Sequence, residues 1–441
     1  MTQNSLQPAE NNATPAPGLI IQGTVAPGFE SVKALYEHNM RTLKERNTQL
    51  CIYVGEEKVV DLWASAIGDA DFSPDKLANI FSSGKSFEAI AMAALAGQGL
   101  LDYSAKITEY WPEFGAHGKD TLTVADMMRH EAGLAAFDQS FEPEDLLVES
   151  IKLNKVGQVI ENQAAKFRKG DGNKREYHAA TRGWVVNEVF RRIEPQGRTI
   201  GQFLRDEISS RLDADVFIGV HESELDRRSA VAPLGFGFYL RESFKPKFLG
   251  RRVERNIFQL IRRMLQIMPL MRNRSRPKAP APVKGMQNIA IVNGPMLASG
   301  ESPSFNANCS ARGLAKVAAA MANGGRLANQ EVLNETAWAA LHEAPIEANM
   351  GFNTTFTQGG VATFPPSTSA SGAMDKALNQ GREGFFGWMG LGGSIFQWHP
   401  EYKIGFGYVP TSLNILDFLN ERGKTYQAEV LNCVRKLNNG G

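Results

Sequence analysis

Cysteine is scarce: Cys51, Cys309 and Cys433 are the only ones among 441 residues. An odd number, spread this widely and without metal-type spacing, argues against a disulfide framework. It fits a reducing, cytoplasmic setting. Net charge is nearly absent too, at +1, so no overall field draws the chain to nucleic acid or membrane. No run of about 18 apolar residues occurs, so no helix is expected to span a membrane. The first residues, MTQNSLQPAENNATPAPG, lack the basic start and apolar run of an export signal. Rich in Asn, Pro and Ala, residues 1–25 read as a disordered tail.

What is present is an ordinary globular balance, 43% hydrophobic and 22% charged, enough for one large core or two parts sharing it. Apolar spacing predicts a helix over Phe29–Asn47, then strands at 49–54 and 58–64 joined by the turn Gly55-Glu56-Glu57. Helical patterns follow at 123–134, 181–193 and 311–325. Strands return at 392–398 and 403–410, and a helix over 426–437 closes the chain. Strands at both ends with helices between predict an α/β (α+β) fold. Its antiparallel sheet is built from both termini (about 26–80 and 346–441) and carries an inserted, mostly helical part (about 81–345). Together these form one domain, 26–441.

One segment departs in composition. Residues 241–284 hold thirteen Lys or Arg against Glu242 and Glu254, a balance of +11. Within it Ile257, Leu260, Ile261, Met264, Leu265 and Met268 keep helical spacing, followed by the Pro-rich SRPKAPAPVK. The expected arrangement is a cap packed on the body with its arginines in solvent. Peripheral contact with an anionic membrane through 251–276 and a homo-oligomer are the other partner readings.

The stretch NIFSSGKSFEAIAMAALAGQG (79–99) poses the functional question. Gly84-Lys85-Ser86 looks like the end of a phosphate loop, but the first glycine of that pattern would fall on Asn79. Ser82 and Lys85 offer a different chemistry. Three apart on a helix, they share a face. A buried lysine with a lowered pKa accepts a serine proton, and a helix N-terminus presents N–H groups to an oxyanion. Ser73-Pro74-Asp75-Lys76 and Ser275-Arg276-Pro277-Lys278 have the same spacing. Only Ser82 is followed by a long apolar-faced helix.

The surrounding sequence resembles the serine β-lactamase-like hydrolases, close to class C β-lactamases and especially family VIII esterases. The segments that carry the resemblance occur in family order over about 30–410: 59–91, GLLDYSAKITEYWPEF…TVADMMRHEAGL (99–134), KREYHAATRGWVVNEVFRRI (174–193), 305–325, and FFGWMGLGGSIFQWHPEYKIGFGYV (385–409). The resemblance implies a β-lactamase/transpeptidase-like fold and a cycle without metal or organic cofactor. It makes Ser82 the nucleophile, Lys85 its amine partner, and Tyr177 a phenolate-like base and proton donor. The backbone amides of Ser82 and Leu391 form the oxyanion hole. Trp388, Gly390 and His178 fall at the substrate, and His130 binds a carbonyl at a helix end.

Two departures matter. Ala179 stands where such hydrolases carry Asn, and Trp388 opens the third motif where antibiotic-handling members carry a cation for the substrate carboxylate. A flat apolar ring cannot make that ion pair. The resemblance therefore implies a carboxylesterase for small neutral acyl esters or amides. An acyltransferase or peptidase, or a catalytically inactive self-assembling scaffold, are the alternatives.

Overall fold

The computed structural model describes residues 18–167, 175–272, 279–370 and 372–439. Its centre is a nine-stranded sheet: β1 (Ile20–Val25), β2 (Asn47–Val54), β3 (Glu57–Ser65), β4 (Ile346–Asn349), β5 (Asn353–Phe356), β6 (Ala362–Thr363), β7 (Phe386–Met389), β8 (Ile395–His399) and β9 (Ile404–Pro410). The order is β1-β3-β2-β9-β8-β7-β6-β5-β4, and each pair is antiparallel. The two halves of the sequence meet where β2 pairs β9, with Leu50 opposite Tyr408 and Ile52 opposite Phe406. The expected sheet from both termini is what forms.

Helices cover both faces, so these strands read as nearly unbroken apolar runs. Along β2, side chains alternate between two cores. Leu50 and Ile52 join Val32 and Tyr36 of α1 (Glu30–Thr42) and Val430 and Val434 of the last helix. Cys51 belongs to the opposite core, with Leu314 and Ala318 on the helix over 311–322. The inserted part carries α2 (Lys85–Gly97), α3 (Thr181–Ile193), α4 (Ile257–Arg272) and α5 (Ala311–Ala322), and α6 (Glu421–Asn439) ends the chain.

Two expectations are corrected here. The tail was placed over 1–25, yet Ile20–Val25 is the edge strand β1, paired residue for residue with β3; residues 1–17 lie outside the described residues. The basic helix α4 is turned the other way from the expected cap. Arg255, just before the helix, donates to Glu421 at 2.6 Å and Arg263 to the same carboxylate at 3.3 Å, while Arg262 stays in solvent. Its apolar Phe258, Ile261, Met264, Leu265 and Met268 are exposed. Leu260 is buried, against Tyr239 and Val253. Glu421, at the first turn of α6, recruits the arginines and so fixes which side of α4 faces out.

Candidate active site

The site begins with a strained turn. Phe81 sits at φ +47°, a conformation that costs a non-glycine residue energy. The side-chain oxygen of Asn79 holds it by accepting the Phe81 N–H at 2.8 Å. A 3-10 turn over Phe81–Gly84 leads into α2. Gly84 allows the turn to press on a neighbour, since a Cβ there would lie 2.5 Å from the Pro303 carbonyl oxygen. Ser82 is thereby presented half-buried, with Lys85 at the start of α2 beneath it.

Lys85 is buried, and its Nζ donates to Ser82 Oγ at 3.4 Å, Ala179 O at 2.7 Å and Ser304 O at 3.0 Å. No carboxylate touches the amine in these contacts. Burial lowers its pKa to about 7; Glu88 works against that shift and Arg182 adds to it. The ammonium is therefore poised to lose its proton near neutrality. The phosphate-loop reading fails on the same contacts, because the lysine points into the protein at carbonyls.

Tyr177 closes the group. Its ring lies 5.0 Å from Lys85 Nζ, the Ser82 side chain acts on its hydroxyl, and Trp388 Nε1 donates to its oxygen at 3.0 Å. Burial pushes the phenol up to about 12, and Ser82 and Trp388 pull it only partly back. The upward shift favours the neutral phenol at neutral pH.

Leu391 reaches the site on the turn after β7, 40% exposed. Three contacts seat this turn beside Ser82. Ser394 Oγ donates to Ile80 O at 2.6 Å, Ser83 Oγ lies 3.1 Å from Ser394 Oγ, and the Trp388 N–H donates to Ser86 Oγ at 3.1 Å. Among the described residues, neither the Ser82 nor the Leu391 amide bonds a backbone group outside its own element. Gly390 was expected at the substrate. A Cβ there would lie 2.1 Å from both Ile80 O and Ser394 Oγ, so the protein's own packing requires the glycine.

The histidines are corrected as well. His178 was placed at the substrate, but it is fully buried. Its Nε2 accepts the Leu134 N–H at 3.0 Å and its Nδ1 donates to Glu176 O at 2.6 Å. Burial lowers it to about 3, so it stays a neutral clamp between two backbone segments. His130, with φ +67°, does not bind a carbonyl through its ring; Nδ1 accepts the His178 N–H at 3.1 Å.

Sequence reasoning missed the group that holds Lys85 in place. Glu88 and Arg182 form a fully buried ion pair at 2.7 Å. Arg182 also donates to Lys85 O at 2.9 Å, Met128 O at 2.9 Å and Gly360 O at 3.0 Å. Ser304 Oγ donates to Glu88 at 2.5 Å while its carbonyl takes the lysine. A charged residue inside an otherwise apolar helical pattern, such as Arg182 in TRGWVV, was the available signal. Of the other serine–lysine spacings, Lys76 reaches only the exposed Asp226 carbonyl, at 3.4 Å, and Ser275–Lys278 lies outside the described residues. Among the described residues, no group of three or more His, Cys, Asp or Glu is placed to hold a metal ion, and no helix is long and apolar enough to cross a membrane.

Comparison with known proteins shows the family and the fold. Residues 32–425 match the beta-lactamase family. The chain is 28% identical over 403 residues to the esterase/beta-lactamase LipL of Mycobacterium tuberculosis (strain ATCC 25618 / H37Rv), covering 90% of this chain and 85% of that one. A crystal structure of a family VIII carboxylesterase superposes with a TM-score of 0.72 at 25% identity, covering 94% of this chain and all of the other. A penicillin-binding protein homolog from Caulobacter crescentus shares the fold, with a TM-score of 0.71 at 23% identity and coverage of 94% and 100%.

Proposed function

The chain belongs to the beta-lactamase family of hydrolases, and from that premise we propose that it is a serine carboxylesterase acting on neutral acyl esters through an acyl-enzyme. The observation that carries the reading is Lys85, lowered to about 7, in contact with Ser82 and lying over the ring of Tyr177. Ser82 Oγ attacks the acyl carbonyl and its proton passes to the neutral Lys85 amine, directly or through the Tyr177 hydroxyl. The amides of Ser82 and Leu391 receive the developing oxyanion. Tyr177, steadied by Trp388, returns the proton to the departing alkoxide. Water, deprotonated by the same relay, then frees the acid.

Trp388 supports the ester over the β-lactam. Its indole N–H is already given to Tyr177, and position 388 offers no cation to a substrate carboxylate. The printed descriptions of LipL and of the family VIII carboxylesterase agree with esterase chemistry. The three cysteines are free and buried, in keeping with a cytoplasmic, reducing location.

The test is covalent labelling with a fluorophosphonate, together with turnover of p-nitrophenyl esters and of a chromogenic β-lactam. Labelling is expected in the parent protein and absent in Ser82→Ala, with esters turned over faster than the β-lactam. No labelling of folded parent protein would replace this reading with the scaffold one, and preference for the β-lactam would remove the role given to Trp388.

A further inference from the structure

Helix α4 presents an apolar arc to solvent. Phe258, 79% exposed, stands in line with Ile261, Leu265 and Met268 at helical spacing, with Met264 at one border and the exposed Arg262 at the other. The preceding turn adds Phe244, Leu249 and Phe248, the last 85% exposed, beside exposed Arg241 and Lys247. A monomer's surface rarely gathers so many large apolar side chains without a partner. The arc is not a loosely hung helix. Arg255 and Arg263 bind it to Glu421, and Lys44 N–H donates to Arg252 O at 2.9 Å just before it.

A chain of contacts links the segment before α4 to the turn beside Ser82. Arg255 donates to Leu416 O at 3.5 Å. The loop that follows reaches the oxyanion turn, with Asn414 N–H on Gly392 O at 3.4 Å and Asn420 Nδ2 on Gly390 O at 2.9 Å. Ile415, Phe418 and Leu391 are exposed along this path. Charge selects the occupant. Arg241, Lys247 and Arg262 are exposed on this face and Arg251 and Arg252 are half-buried, while Arg255 and Arg263 are taken up by Glu421. Pairing two copies through this face would bring two positive segments together, whereas an anionic lipid surface complements both the charge and the apolar arc.

We propose that this face docks the protein on an anionic phospholipid bilayer. Helix α4 lies in the headgroup plane and Leu391 borders a site mouth turned toward the lipid. Resting on the esterase reading, the substrate class is then an acyl ester held in the bilayer.

The experiment uses the full chain with phosphatidylglycerol/phosphatidylcholine vesicles and with pure phosphatidylcholine vesicles. The Ser82→Ala protein is expected to cosediment at least about tenfold more strongly with the anionic vesicles, and the preference is expected to fade as salt screens it. The triple variant Phe258→Ser, Ile261→Ser, Leu265→Ser, altered only at exposed positions, is expected to lose at least about tenfold of that binding. With Ser82 intact, it is expected to hydrolyse soluble p-nitrophenyl acetate normally while losing turnover of a vesicle-borne p-nitrophenyl palmitate. Equal binding to both vesicle types, or unchanged binding by the triple variant, overturns the docking. A parent dimer that the triple variant converts to monomer, without vesicle binding, overturns it in favour of self-association. Vesicle binding by a parent protein that turns over neither ester leaves docking standing and removes the esterase reading and the substrate class drawn from it.

Discussion

Lys85 is the residue on which pH acts first. Burial holds its pKa at about 7, so the fraction of neutral amine grows as pH rises through that value. Esterase kcat/KM is expected to climb along a single ionisation near pH 7 and to show no second break below the range of Tyr177, raised to about 12. A profile flat between pH 6 and 8 would remove Lys85 as the base. Trp388 acts one contact further out. Trp388→Phe keeps an aromatic face but deletes the N–H that steadies Tyr177. The loss of about 1 kcal/mol for one neutral hydrogen bond predicts a fall of about fivefold in kcat/KM, with a lower urea midpoint from the smaller ring in a buried site. The sequence announced Ser82, Lys85 and Tyr177 because their spacing and flanking motifs are local. It concealed the state of His178 and His130, because the Leu134 N–H that engages one ring and the His178 N–H that engages the other lie more than forty residues away along the chain.

At the scale of elements, the turn after β7 and the first turn of α2 are built to touch. Gly390→Ala forces a Cβ into Ile80 O and Ser394 Oγ. It is expected to cost about 1–3 kcal/mol in urea unfolding and to reduce fluorophosphonate labelling, because the Leu391 amide is displaced with the turn. The pair between α2 and α3 is more exacting. Glu88→Gln leaves the Arg182 charge buried and unpaired, with an expected loss of about 3–5 kcal/mol of stability by the same measurement. Elements with strong periodicity were legible. Thr181–Ile193 forms the predicted helix to the residue, and the strands at 49–54 and 58–64 extend by a few residues at their ends. β1 escaped because Gly23 interrupts its short apolar run next to a polar tail. β4 and β5, IEAN and NTTF, are too polar to announce strands. The helix in the basic segment was legible but its orientation was not, since the ion pairs that set it lie on Glu421, more than 150 residues away in sequence.

Across the whole molecule, buried acids give stability its own pH dependence. Glu301 is fully buried, accepting from Thr199 Oγ1 at 2.7 Å and Asn187 Nδ2 at 3.3 Å, and burial raises it to about 7. The folded chain thus holds its proton more tightly than the unfolded chain does. That contribution is fully present below the ordinary carboxyl range and is lost as pH rises through about 7. Relative to Glu301→Gln, the parent protein is expected to lose urea midpoint between pH 5 and 8; parallel curves would show that Glu301 titrates normally. The join of β2 with β9 has a temporal consequence. A ribosome delivers Ser82 more than 300 residues before the turn bearing Leu391 and the strand that completes the central sheet. The pocket around Ser82 therefore has no half-built working form, and any reactivity of its hydroxyl waits until that strand has joined.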